Sequence, residues 1–307
     1  MIKTGDASFK GHFSLLVAYI IFGLSAPIGK SAMMEGGIAP LSLTFFRMAG
    51  AALLFWIASL LAPRERVAKK DLLLLLGAST FGVIINQICY IGGLAKTSPV
   101  DASLIATLGP IITMLVAAVY LKEPITFKKV LGVLVGAAGV LLLIITGINV
   151  LNGESHASGN LLVLTSGFSF AIYLTVFRDV VRRYSSVTVM KWMFLYATII
   201  CTPLCFKHVS AIDYGALSFS VYWKIAFVVC CATFISYMLL PVGQKRLRPT
   251  IVSMYNYLQP IVSSGVAVAM GLDVFGWSKG ASTVLVFLGV YIVTRSKSRA
   301  QVEAGIK

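Results

Sequence analysis

Ten apolar runs, each about as long as a membrane-crossing helix, leave this chain almost nothing else to fold with. They fall at 13–34, 40–61, 71–94, 99–120, 127–147, 159–178, 187–206, 222–243, 248–270 and 278–294. A hydrocarbon core about 30 Å thick needs roughly 20 apolar residues per helix at 1.5 Å of rise each. Only 12% of the 307 residues are charged and 58% are hydrophobic, whereas soluble domains carry about a quarter charged residues. The expected fold is therefore an all-α integral membrane protein of about ten transmembrane helices. What remains is short links and tails, too little for a soluble catalytic domain.

The net charge of +15 does not point to nucleic acid, because the basic residues come in small groups between the runs. Such grouping sets orientation in a membrane, where cytoplasmic links are enriched in Lys and Arg. With both termini cytoplasmic, 19 of the 26 basic residues fall inside and 5 (Lys30, Lys96, Lys207, Lys224 and Lys279) outside. Arg47 and Lys191 lie within runs. An odd number of spans would scramble that alternation. A multi-pass protein of the cytoplasmic (inner) membrane is the expectation, with the bilayer and a small molecule as its partners and no nucleic acid.

The two halves resemble each other. At an offset of 150 residues, Pro99, Ser103, Leu108, Pro110, Ile111, Val116, Ala117, Lys129, Gly139 and Val140 meet identical residues, from Pro249 to Val290, without a gap. Near the starts of the halves the offset is 144, where Ser42, Thr44 and Arg47 meet Ser186, Thr188 and Lys191. This divides the chain into a first five-helix repeat at 1–150 and a second at 151–307 that ends in a short cytoplasmic tail. Five is odd, so the second repeat enters the membrane from the opposite side. Inverted repeats of this kind are a signature of secondary transporters, whose central site alternates between the two faces.

Within each half the order is a short link, a run with a proline, an acidic residue, then a glycine-bearing run. The first half supplies Ser98, Ala102, Pro110, Glu123, Gly132 and Gly139; the second supplies Pro249, Ser253, Pro260, Asp273 and Gly289. Over nearly the whole chain this resembles the EamA-type transporters of the drug/metabolite transporter superfamily. It departs from them at Asp273, where glutamate is usual, and at Ser282, where Gly132 predicts glycine. The resemblance implies a cytoplasmic-membrane carrier with a cavity between its repeats. It points to export of a small metabolite such as an amino acid by alternating access. An exporter of drugs or amphipathic cations, and a channel or scaffold without carrier activity, remain as alternatives.

Polar residues inside the runs mark candidate cavity faces, since a carboxamide facing lipid is unfavourable. Asn86 and Tyr90 share a helix face, as do Ser103, Thr107 and Pro110; Ser166, Ser169 and Tyr173; and Ser253, Asn256 and Gln259. Most serines and threonines suit bonding between helices. Asn86, Tyr90, Thr107, Tyr173, Asn256 and Gln259 are candidates to meet a substrate, Arg47 to meet an anionic group, and Trp192 and Tyr237 to stack on one. Pro110 and Pro260 are candidate hinges, because a proline within a span leaves a carbonyl unpaired. Asp101 suits a helix dipole, while Glu123 and Asp273 suit loop anchoring. Gly132, Gly136 and Gly139 permit close helix contact, within the chain or in a homodimer.

Other chemistries find no footing. The five cysteines lie inside runs and the three histidines at run ends or in links, so neither a metal site nor any cofactor is expected. Gly23-Leu24-Ser25-Ala26 resembles a rhomboid-type serine motif, yet no histidine sits within a span to serve it. Gly29-Lys30-Ser31 lacks the upstream glycine and soluble helix of a phosphate loop. The first run lacks the small-x-small exit of a cleaved signal peptide.

Overall fold

In hydrocarbon each backbone N–H and C=O must find a partner within the protein, and a helix satisfies them along its own length. The computed structural model describes residues 2–96, 105, 108–122, 124–147, 157–269 and 277–296. Among these it is all helix and connecting turns, with no strand. In chain order the helices are α1 (Ile2–Gly36), α2 (Pro40–Leu61), α3 (Lys69–Lys96), α4 (Gly109–Tyr120), α5 (Phe127–Gly147), α6 (Ala157–Val176), α7 (Arg178–Arg183), α8 (Ser186–Ser210), α9 (Phe219–Arg246), α10 (Pro249–Met254), α11 (Leu258–Ala269) and α12 (Trp277–Thr294). Six helical spans among the described residues are long and apolar enough to cross a bilayer: Phe9–Gly36, Pro40–Leu61, Lys69–Lys96, Ser158–Val176, Ser186–Ser210 and Phe219–Arg246.

The helices pack as pairs. α2 lies on α8 and α5 on α12; α3 and α4 meet α6; α1 meets the end of α9 and α11. Glycines set the closest approaches. A Cβ on Gly93 of α3 would stand 2.9 Å from the carbonyl oxygen of Gly159, and one on Gly243 of α9 would stand 2.4 Å from Leu15 Cγ on α1. The α5–α12 crossing sets backbone against backbone, with Gly132 and Gly136 meeting Gly289. Those α5 glycines therefore serve a crossing inside one chain.

Both α3 and α9 loosen in mid-course into a π-helical turn, at Thr80–Ile85 and Cys230–Ile235. Such turns replace the i→i+4 ladder with i→i+5 bonds and free carbonyls from their usual partners. Side chains five residues on take them up in α9: Thr233 Oγ1 donates to the Val228 carbonyl at 2.8 Å, and Ser236 Oγ to that of Cys231 at 3.2 Å. The slack in α3 has a packing use as well, since the Tyr173 ring sits where a Cβ on Gly82 would be, at 2.6 Å.

The two prolines expected within spans each fall in the first turn of a described helix. Pro110 is the second residue of α4, where a missing N–H leaves nothing unpaired. Pro260 is the third residue of α11. It removes the N–H that would have reached Asn256, and the chain there tightens into a 3₁₀ turn, Tyr255–Tyr257, between α10 and α11.

Opposite ends of α9 carry different polar clusters. At one end, Asp71 accepts from Arg183 and from the Tyr184 hydroxyl, each at 2.6 Å, and Lys245 donates to the Tyr184 carbonyl. Glu65 joins it by accepting from the Ser185 backbone N–H and hydroxyl at 3.0 and 2.9 Å. Partial burial works against the ionised Glu65, but hydrogen bonds from Thr188 and Ser185 outweigh it and lower its pKa. At the other end, Lys224 pairs with Glu35, which also accepts from Ser218 at 3.0 Å. At 1.5 Å per residue the two lysines stand about 30 Å apart along one helix.

Candidate functional site

Between these clusters, helices from both halves close around a cavity of about 120 Å³. Its walls come from α1, α2, α3, α6 and α9 within their length, from the start of α4, and from the 3₁₀ turn with the start of α11. Arg47, Asn86, Tyr90, Tyr237, Asn256 and Gln259, singled out from the sequence, all line it.

Each is held by a local device. Arg47 is 6% exposed, and its Nε donates to Thr233 Oγ1 at 2.9 Å. The π turn of α9 thus positions the cation, because Thr233 is the residue occupied with the freed Val228 carbonyl. Asn86, one residue past the π turn of α3, donates through Nδ2 to the Ser166 carbonyl at 3.1 Å and hydroxyl at 3.0 Å. Asn256 sits between two anchored tyrosines. Tyr255 Oη and His12 Nδ1 share a hydrogen bond of 2.6 Å, and Tyr257 Oη donates to the Val133 carbonyl at 3.3 Å. With the turn pinned to α1 and α5, Asn256 is left to the cavity, where Gln259 Nε2 donates to its Oδ1 at 3.2 Å. Gly109 gives it room, since a Cβ there would stand 3.2 Å from Asn256 Nδ2.

Gln87 is the residue that the stripe of Asn86 and Tyr90 passes over. Its Nε2 donates to the Tyr237 hydroxyl at 2.5 Å, and its Oε1 is buried with no partner among the described residues. Tyr19 lines the same cavity from α1 with a buried hydroxyl that likewise has none. Phe22 and Ser25 follow Tyr19 at three-residue spacing, the helical signal that marks this face. Thr113 extends the Pro110 face of α4, and Phe170 adds an aromatic wall.

Two candidates lie elsewhere. Tyr173 is a buried strut whose hydroxyl donates to Gln244 Oε1 at 3.1 Å. Trp192 packs edge-on against Trp56, with ring centroids 5.7 Å apart, beside Tyr196. Lys191, the counterpart of Arg47, places its ammonium 5.1 Å from the Trp56 ring centroid rather than in the cavity. Thr107, Asp101, Glu123 and Asp273 lie outside the described residues. Some serines bond between helices, Ser79 donating to the Met193 carbonyl at 2.5 Å and Ser169 to that of Phe81 at 2.6 Å. Threonines such as Thr44, Thr80, Thr175 and Thr198 instead donate to a carbonyl one turn back in their own helix. Among the described residues no group of His, Cys, Asp and Glu is arranged to hold a metal.

A bundle of apolar helices enclosing a polar, cation-bearing cavity at mid-helix depth defines a multi-pass membrane protein shaped to take a small ligand. The model of the EamA-like transporter family matches it twice, at residues 9–145 and 157–295, and the chain belongs to that family. It is a transporter and not an enzyme. Among its relatives is an uncharacterised transporter of Bacillus subtilis (strain 168), YyaM, 24% identical over 91% of this chain and 92% of that protein. A probable terminal-alkyne amino-acid exporter of Streptantibioticus cattleyicolor is 23% identical over 64% of each chain. A solved crystal structure with 20% identity superposes with a TM-score of 0.74 over 94% of this chain and 96% of the other, which shows a shared fold.

Proposed function

We propose that this protein is a secondary active transporter that exports a small metabolite, such as an amino acid, across the cytoplasmic membrane by alternating access. The observation that carries this reading is the cavity, polar inside a greasy bundle and walled by both halves of the chain. A cavity of that volume has room for on the order of ten waters, the size range of a small metabolite. A relative named as an amino-acid exporter agrees with that size.

Alternating access needs two bundles that rock against each other. The reading takes residues 1–150 and 151–307 as inverted five-helix repeats, ten spans in all, with both termini cytoplasmic. Several features support it. The two π turns begin 150 residues apart, at Thr80 and Cys230. The close-crossing glycines Gly93 and Gly243 are also 150 apart, and the contact of α3 with α6 has its counterpart in that of α9 with α1. Gln87 and Tyr237, again 150 apart, hydrogen-bond to each other, as residues beside a pseudo-two-fold axis would.

The clusters around Asp71 and Glu35 then suit the roles of opposite gates. Asp71→Asn should favour opening at its own end and Glu35→Gln at the other. A single cysteine placed at Ser25 in a cysteine-free background would report this, its labelling from the two faces changing in opposite senses in the two variants. Equal changes in both would remove the gating role.

The substrate test is mass spectrometry of medium and cytoplasm from cells overproducing the protein or carrying an empty vector. Export predicts a compound enriched outside and depleted inside, lost in Asn86→Ala and Asn256→Ala variants of equal membrane abundance. A compound accumulating inside instead would reverse the direction of transport.

A further inference from the structure

Among the described residues Arg47 is the one that lines the cavity with a formal charge, and no carboxylate among them lies within ion-pair distance of it. A guanidinium has five N–H donors in a fixed fork. The Nε donor goes to Thr233, and the two terminal amino groups have no hydrogen-bond partner among the described residues. Arg47 as a residue is 6% exposed, and its terminal nitrogens are not among the fully enclosed polar atoms, so the donors left over from Thr233 are open to the cavity. Two further residues of the cavity lining carry enclosed polar atoms without a partner among the described residues. Gln87 Oε1 is a buried acceptor without a donor, and the Tyr19 hydroxyl is buried without a partner of either kind.

Unsatisfied polar groups are rare in buried places, and where they converge on a cavity they describe what is missing from it. The missing group must accept from a planar fork, which a carboxylate does through two parallel hydrogen bonds. We propose that Arg47 is a carboxylate clasp that selects small organic acids and zwitterions, with Gln87 Oε1 receiving an N–H or ammonium where the substrate has one. This rests on the reading of the cavity as the transport site and names its substrate class. It also speaks against amphipathic cations, which would meet a like charge in low dielectric. Because Lys191 lies over Trp56, a single anionic pole is specified.

Binding can be read without transport, by thermal unfolding of the purified full chain in detergent. The probes are L-leucine, isovalerate (carboxylate without amine), L-leucinol and L-leucinamide (amine without carboxylate), tetraethylammonium, and chloride against gluconate. The expected result is a rise in Tm with L-leucine or isovalerate and none with leucinol, leucinamide or tetraethylammonium. Arg47→Gln should abolish the rise, Arg47→Lys should weaken it at least tenfold in concentration, and Lys191→Gln should leave it intact. Equal shifts with leucinol and leucine, a shift that survives Arg47→Gln, or no shift with either carboxylate would overturn the proposal. So would a chloride effect that accounts for the whole response, which would make the clasp an inorganic-anion site. If Arg47→Gln does not fold, the Lys variant and the leucine–leucinol pair still decide. Carboxylate binding without flux of the same compounds in liposomes would count against the transport reading alone.

Discussion

Gly289→Val is expected to cost the protein more stability than any exposed substitution of equal size. A Cβ at position 289 would stand 2.6 Å from the Gly132 carbonyl oxygen and 2.7 Å from the Gly136 backbone nitrogen. Both neighbours are backbone, so no side chain can swing aside and α5 and α12 must separate. Overpacking of this kind costs about 1–3 kcal/mol, and in a bilayer the loss falls on the van der Waals contact that holds helices together. The melting temperature in detergent should fall by roughly 3–10 °C. Gly280→Val is the matched control, since nothing lies within 4 Å of a Cβ there. Equal melting of the two variants would show that the α5–α12 crossing is not held as described.

Thr233→Val should cut transport by about 10–100-fold while leaving membrane abundance nearly unchanged. The substitution keeps the shape and removes the hydroxyl that bonds both Arg47 Nε and the Val228 carbonyl. A hydrogen bond to a charged group is worth about 1.5–3 kcal/mol, and each 1.36 kcal/mol lost from productive positioning is tenfold in rate. Thr233→Ser returns the hydroxyl and should restore most of the activity. Transport rates normalised to membrane protein would decide, and wild-type flux in the valine variant would detach the π turn from the function of Arg47.

Much of the helical frame is legible in hydropathy. The run at 40–61 coincides with Pro40–Leu61, and the runs at 71–94 and 222–243 lie inside Lys69–Lys96 and Phe219–Arg246. The π turns inside those two helices are not legible, because a shift from i→i+4 to i→i+5 bonding leaves the apolar pattern unbroken. The 3₁₀ turn at Tyr255–Tyr257 leaves a fainter trace in Pro260, whose absent N–H falls four residues after Asn256. Stripe reasoning finds helix faces but not depth. Tyr173 shares a face with Ser166 yet lies seven residues, about 10 Å, further along α6, where Gln244 rather than the cavity receives it. Repeat reasoning pairs Arg47 with Lys191, but only Arg47 lines the cavity. The difference traces to the partner helix: Thr233 holds Arg47, whereas the position 150 residues earlier is Val83, which has no hydroxyl to offer.

The central claim, a carrier that alternates around this cavity, is tested most directly by counterflow. Purified protein in sealed liposomes would be preloaded with the compound that mass spectrometry identifies, and entry of its labelled form followed over a range of external concentrations. A carrier predicts entry that saturates, is accelerated by the unlabelled compound on the far side, and collapses in the Asn256→Ala protein. Entry rising linearly with concentration and indifferent to the far side would contradict the account and make the protein a channel.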